Sequence, residues 1–97
     1  MSLNRAEHAQ TAQELQENLS KVALEQVAAD LGTTPEKVLA VSQLDVDRIE
    51  EPWILRNYLI KALGSDLTPF TVLTGDYRQM WFLDTAYIDR AQLGYAW

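Results

Sequence analysis

Apolar positions along this chain recur at helical spacing through most of its length. In residues 4–22, Ala12, Leu15, Leu19 and Val22 form one stripe at intervals of three and four. That spacing predicts an amphipathic helix. Its start has two candidates, because Asn4 with Glu7 and Thr11 with Glu14 both carry capping-box spacing. Residues 24–43, LEQVAADLGTTPEKVLAVSQ, predict two short helices joined by a tight turn. Ala28 is small enough for a close crossing. Gly32 supplies a left-handed turn without a Cβ penalty. Thr34 is a natural cap, and Pro35 suits a first helical position that needs no N–H. Val27, Leu31, Val38 and Val41 fall on a shared inner face.

A fourth helix is expected after the acidic loop at 45–51. Pro52 suits its first turn, acidic residues favour the positive end of the helix dipole, and Gly64 is a natural stop. Trp53, Leu55, Tyr58, Leu59, Ala62 and Leu63 make its apolar face. The pattern then changes to β-branched and aromatic residues. Two readings of this region compete. In the first, residues 70–73 and 77–83 pair as a hairpin across Gly75-Asp76. In the second, Thr68 and Pro69 open a short helical turn that ends at Gly75, and only 77–83 is extended. The β propensities of Val72, Tyr77, Trp81 and Phe82 favour the hairpin. Asp84 can cap a last short helix through Ala91. The expected fold is therefore mainly α: a compact bundle of four to five helices containing a helix-turn-helix, with a small C-terminal hairpin. At 97 residues it reads as one domain.

Composition narrows the function. The chain has no cysteine, so thiol chemistry, disulfides and cysteine-ligated zinc are excluded. No apolar run reaches the roughly 18 residues of a membrane span, and the first ten residues lack the apolar segment of a signal peptide. The chain reads as cytoplasmic. The net charge is −6, with eight basic residues scattered singly. This weighs against nucleic acid, whose binding draws on neutralised phosphates. Catalysis has little support. His8 is the one histidine and sits in a polar segment; there is no nucleophile elbow or phosphate-cradling loop. The carboxylates Asp45, Asp47, Glu50 and Glu51 lack the turning glycine of a cation loop, so they read as a solvated loop that also starts the fourth helix. No enzyme activity, metal or cofactor is expected.

The segments TPEKVLAV at 34–41, EPWILRNYL at 51–59 and TGDYRQMWFLD at 74–84 together resemble a family of small bacterial proteins of unknown function. PWILRNYL at 52–59, with GDY at 75–77 and WFL at 81–83, is the most specific part. The resemblance covers nearly the whole chain. It implies a bacterial cytosolic protein with a helix-turn-helix, repressor-like fold. It implies no activity and no site residues.

Three groups of residues are candidates for function. If the helical pair reads double-stranded DNA, Thr33, Thr34, Lys37 and Gln43 face it, with Arg48 or Arg78 flanking. Glu36 would repel the backbone unless it accepts from a cytosine. Leu39 is out of place, since it occupies a position where a reading helix exposes a polar residue. The second group is aromatic. Trp53, Tyr58 and Phe70 read as core, whereas the two-sided apolar stretch at 77–83 reads as a homodimer surface built from Met80, Trp81, Phe82, Tyr95 and Trp97. A small-molecule pocket among these aromatics is left open. Third, Arg56 and Asn57 sit between apolar neighbours, and Arg56 drawn inward needs a carboxylate such as Asp76 or Asp84. Two functions follow: a dimeric DNA-binding transcriptional regulator, or a protein-interaction module that keeps the fold without the DNA.

Overall fold

A computed structural model describes residues 4–46, 48, 50–74, 83, 85–89 and 93. The described chain is mainly helical. Four helices of seven or more residues are α1 (Arg5–Leu19), α2 (Leu24–Asp30), α3 (Pro35–Ser42) and α4 (Glu50–Leu63). A single 3-10 turn (Gly64–Asp66) follows α4, and a five-residue helix, α5 (Thr85–Asp89), comes last. No helix among the described residues is long and apolar enough to cross a membrane.

Local chemistry explains each boundary. Of the two capping boxes, Asn4 with Glu7 starts α1: the Asn4 Oδ1 accepts the Glu7 N–H at 2.8 Å, and the Glu7 carboxylate accepts the Asn4 N–H at 3.2 Å. Thr11 lies inside that helix instead, where its hydroxyl donates to the Glu7 carbonyl at 2.8 Å. Helix α2 ends at Gly32, whose φ is 65°. The Thr33 N–H reaches back to the Ala28 carbonyl at 2.9 Å and the Gly32 N–H to Ala29 at 3.2 Å, the two bonds of a Schellman stop. Thr34 then caps α3 by accepting the Lys37 N–H at 3.2 Å, with Pro35 in the first position. Helix α3 ends in the same way, with bonds from Asp45 to Ala40 and from Leu44 to Val41. Here Leu44 takes the left-handed position, at φ 60°.

The core forms where these helices meet. Helix α3 packs against α1, α2 and α4; α4 also contacts α1 and α5. Leu15, Val27, Leu31, Val38, Val41, Trp53, Ile54, Leu55 and Leu59 are all buried at the centre. Tyr58 and Leu63 are partly buried against them, and Ala62, expected on the same face, is exposed. The tail closes on the same core. Leu93 is fully buried, and its N–H donates to the Leu31 carbonyl at 2.7 Å, satisfying an orphan acceptor at the end of α2.

The C-terminal expectations need correction where the residues are described. No strand occurs among the described residues, and residues 70–73, expected as the first limb of a hairpin, are irregular with bends at 71–73. The competing helical turn is absent there too. The reason is visible in the hydrogen bonding. Asn18, buried on α1, accepts the Thr68 N–H at 2.7 Å and donates to the Thr68 carbonyl at 2.9 Å. Four residues earlier on α1, the buried Glu14 carboxylate accepts the Thr71 N–H at 3.0 Å and the Thr71 hydroxyl at 2.6 Å. Side chains of a helix thus take the backbone groups that a neighbouring strand would have paired. Residues 75–82, Asp84 and Ala91 lie outside the described residues, so the second limb and the cap and end of the last helix do as well.

Candidate functional site

Helix α3 and its two caps carry Thr34, Lys37 and Gln43, three of the residues expected to face DNA. Val38 and Val41 turn inward and are fully buried, which rotates Glu36, Leu39 and Gln43 to the outside. Leu39 is 43% exposed, the large apolar side chain left open to solvent among the described residues. It forms one wall of an apolar groove of about 310 Å³. Leu19 at the end of α1, Val22 in the turn before α2, Leu24 at the start of α2 and Ser42 on α3 complete the interior of the lining, and the exposed Gln16, Ser20 and Gln43 stand at its rim. The Ser42 hydroxyl donates to the Leu39 carbonyl at 2.7 Å, so it presents little unmet polarity to the groove.

Two of the three cations expected to face or flank DNA, Lys37 and Arg48, are engaged within the chain. The Lys37 ammonium lies 2.6 Å from the Glu51 carboxylate, and the Arg48 guanidinium 3.1 Å from Glu50. Both glutamates are buried, at 5% and 4% exposure for Glu50 and Glu51. This corrects their reading as part of a solvated loop. They occupy the first turn of α4, where the helix dipole favours anions, and each is matched by a cation: Glu51 by Lys37 of α3 and Glu50 by Arg48 just before α4. Thr34 is exposed, but its hydroxyl oxygen already accepts the cap bond. Thr33 is partly buried. Gln43 is exposed at the C-terminal end of α3, whereas a reading helix makes its base contacts from the N-terminal end. Arg78 and the expected dimer residues Met80, Trp81, Phe82, Tyr95 and Trp97 lie outside the described residues.

The remaining candidates are structural in setting. Trp53 and Phe70 are buried, as expected for core aromatics. Arg56 is partly buried; its Nε donates to the Leu73 carbonyl and its Nη1 to the Asn57 amide oxygen, both at 2.8 Å. The guanidinium also lies 4.9 Å from the Trp53 ring centroid. Burial moves the Arg56 pKa down from its usual range. Asp76 and Asp84, the carboxylates expected to pair with it, lie outside the described residues. Tyr58 donates its hydroxyl to Asp30 at 2.6 Å. Burial, with this hydrogen bond and the Asp30 charge, pushes its pKa up to about 12. His8 is exposed on α1.

Sequence reasoning missed the polar seam on α1. Glu14, Asn18 and Lys21 recur at helical spacing, and all three hold the segment after α4; the Lys21 ammonium donates to the Asp66 carbonyl and the Thr68 hydroxyl, each at 2.8 Å. Burial alone would raise the Glu14 pKa, but the Thr71 hydroxyl, the Thr71 N–H, Gln10 and the Val72 N–H together pull it below 4.5. The available signal was the polar i, i+4 pair Glu14 and Asn18 next to the buried Leu15 and Leu19.

No curated protein and no solved structure is significantly similar to this chain. A family profile does match, over residues 1–84. The chain therefore belongs to the family described as an uncharacterized protein conserved in bacteria, DUF2316.

Proposed function

We propose that this protein is a protein-interaction domain. In this reading α2 and α3 form a helix-turn-helix kept as architecture, and the groove beside Leu39 receives a helical segment of a partner protein. The observation that carries the reading is Leu39 itself: an exposed leucine on the wall of an apolar groove, at a position where a DNA reader needs a polar side chain. A groove walled by helices and floored by apolar side chains suits the apolar face of a partner helix. The charge distribution supports the same choice. The chain carries a net −6, and Lys37 and Arg48 are already paired with Glu51 and Glu50. A protein that neutralised phosphates with these residues would first have to break pairs to buried carboxylates.

The DNA-binding regulator is the second reading, favoured by one observation. The exposed face of α3 is open, with Thr34 at its start and Leu39 able to meet a thymine methyl. One pair of selections separates the two. Random peptides displayed on phage are selected on the wild type and on Leu39→Asp, and random duplex DNA is selected at low and moderate salt. The docking reading expects peptides with helical apolar spacing to enrich on the wild type and not on Leu39→Asp, with no duplex retained. Equal enrichment on both proteins would overturn it. So would retention of a defined duplex sequence that Lys37→Ala abolishes.

A further inference from the structure

We infer, resting on the docking reading above, that the groove takes a basic amphipathic helix carrying two large apolar side chains one turn apart. The dimensions come first. On α1 and its cap the lining runs from Gln16 to Ser20, and on α3 and its cap from Leu39 to Gln43, a rise of four residue steps in each case. At about 1.5 Å per residue each wall is about 6 Å long. Side chains at i and i+4 of a helix are spaced about 5–6 Å apart, so two of them span the walls. The rim residues Gln16, Ser20 and Gln43 are uncharged and polar, suited to the edge of such a face.

Charge then selects the partner. Three exposed carboxylates are close neighbours in the chain of lining residues: Glu17 follows Gln16, Glu25 follows Leu24, and Glu36 lies one turn before Leu39 on α3. The neighbouring cations are turned to partners within the chain. Lys21, next to Ser20, donates its ammonium to Asp66 and Thr68, and Lys37 is held by Glu51. An apolar groove edged by acids, on a protein of net charge −6, is complementary to lysine or arginine flanking an apolar pair. The same field repels an acidic helix with an identical apolar face.

The test uses the full-length protein and two synthetic peptides of about 18 residues, long enough to populate a helix. Both carry the same leucines at one i, i+4 pair; one has lysines on its polar face and the other glutamates. Binding is read by fluorescence anisotropy. The lysine peptide is expected to bind at least about tenfold more tightly, the factor that three exposed ion pairs together supply. Added salt narrows the gap. Glu36→Lys weakens the lysine peptide, and Leu39→Asp abolishes its binding although it adds negative charge. Leu39→Ser serves as the apolar-loss variant if circular dichroism shows the aspartate variant unfolded. Equal affinity for the two peptides would overturn the basic class while leaving the docking reading in place. Unchanged or stronger lysine-peptide binding by the Leu39 variants would mean attraction to the acidic surface alone, and would overturn the proposal. Failure of both peptides to bind would also overturn it, and the docking reading would then stand or fall on the phage selections.

Discussion

Replacing Glu14 tests whether the polar seam of α1 holds the segment after α4 in place. The carboxylate accepts three hydrogen bonds: the Thr71 N–H at 3.0 Å, the Thr71 hydroxyl at 2.6 Å and the Gln10 amide at 2.8 Å. Bonds to a charged group contribute about 1.5–3 kcal/mol each in net terms. Thr71 and Gln10 are exposed, so their released donors find water and the low end of that range is too generous for the sum. Glu14→Ala is therefore expected to cost about 2–3 kcal/mol. Glu14→Gln keeps one acceptor oxygen for the Thr71 N–H, but its NH2 only donates, so the Thr71 hydroxyl and the Gln10 amide must turn to accept; the exposure of both lets them do so, and the cost is expected to be about 1 kcal/mol. Urea unfolding measures both, with the midpoint shifting and the slope unchanged. The pH dependence adds a sign. The folded pKa of Glu14 lies below 4.5, so folding favours the ionised form. Its contribution is complete above that value and is lost as pH falls through the folded pKa. The stability gap between wild type and Glu14→Gln is thus expected to shrink in acid. A midpoint for Glu14→Ala within about 0.5 kcal/mol of wild type, or a gap that widens in acid, would refute the seam.

Other substitutions probe the Lys37–Glu51 pair, the stop of α2 and the Tyr58–Asp30 bond. Lys37→Ala leaves the Glu51 carboxylate buried beside no cation from α3 and is expected to cost about 2 kcal/mol, against less than about 0.5 for the exposed Lys61→Ala, by urea unfolding. Gly32→Ala forces a side chain into the left-handed stop of α2 and is expected to lower stability by about 1 kcal/mol in the same assay. Tyr58 is expected to be a late tyrosinate in an absorbance titration, and Tyr58→Phe to remove that step. Because its folded pKa is raised from 10 to about 12, its contribution is whole below 10 and is lost as pH rises through about 12.

The parts of the fold that were legible depend on neighbours in the chain. Thr34, Pro35 and Gly32 act within one turn of themselves, so their spacing was enough to place α2, the turn and α3. The inner face of Val27, Leu31, Val38 and Val41 followed from helical periodicity and is buried. The parts that misled depend on residues far apart. Glu50 and Glu51 look like solvated loop residues until Lys37 and Arg48 are brought beside them. Residues 70–73 carry strand propensity, but that propensity needs a strand partner, and Asn18 and Glu14 bond Thr68 and Thr71 instead, from 50 and 57 positions away. Leu39 was legible as an anomaly. Its neighbours in the groove come from α1 and α2, and only the fold reveals them.

In the proposed docking reading a protein helix binds the outer face of α3. The most direct measurement is an amide-resolved NMR titration of the full chain with the lysine-rich amphipathic peptide. Shift changes are expected to concentrate at residues 16–24 and 36–43, with α4 little affected. Changes confined to α4, or spread evenly over the surface, would contradict the docking reading.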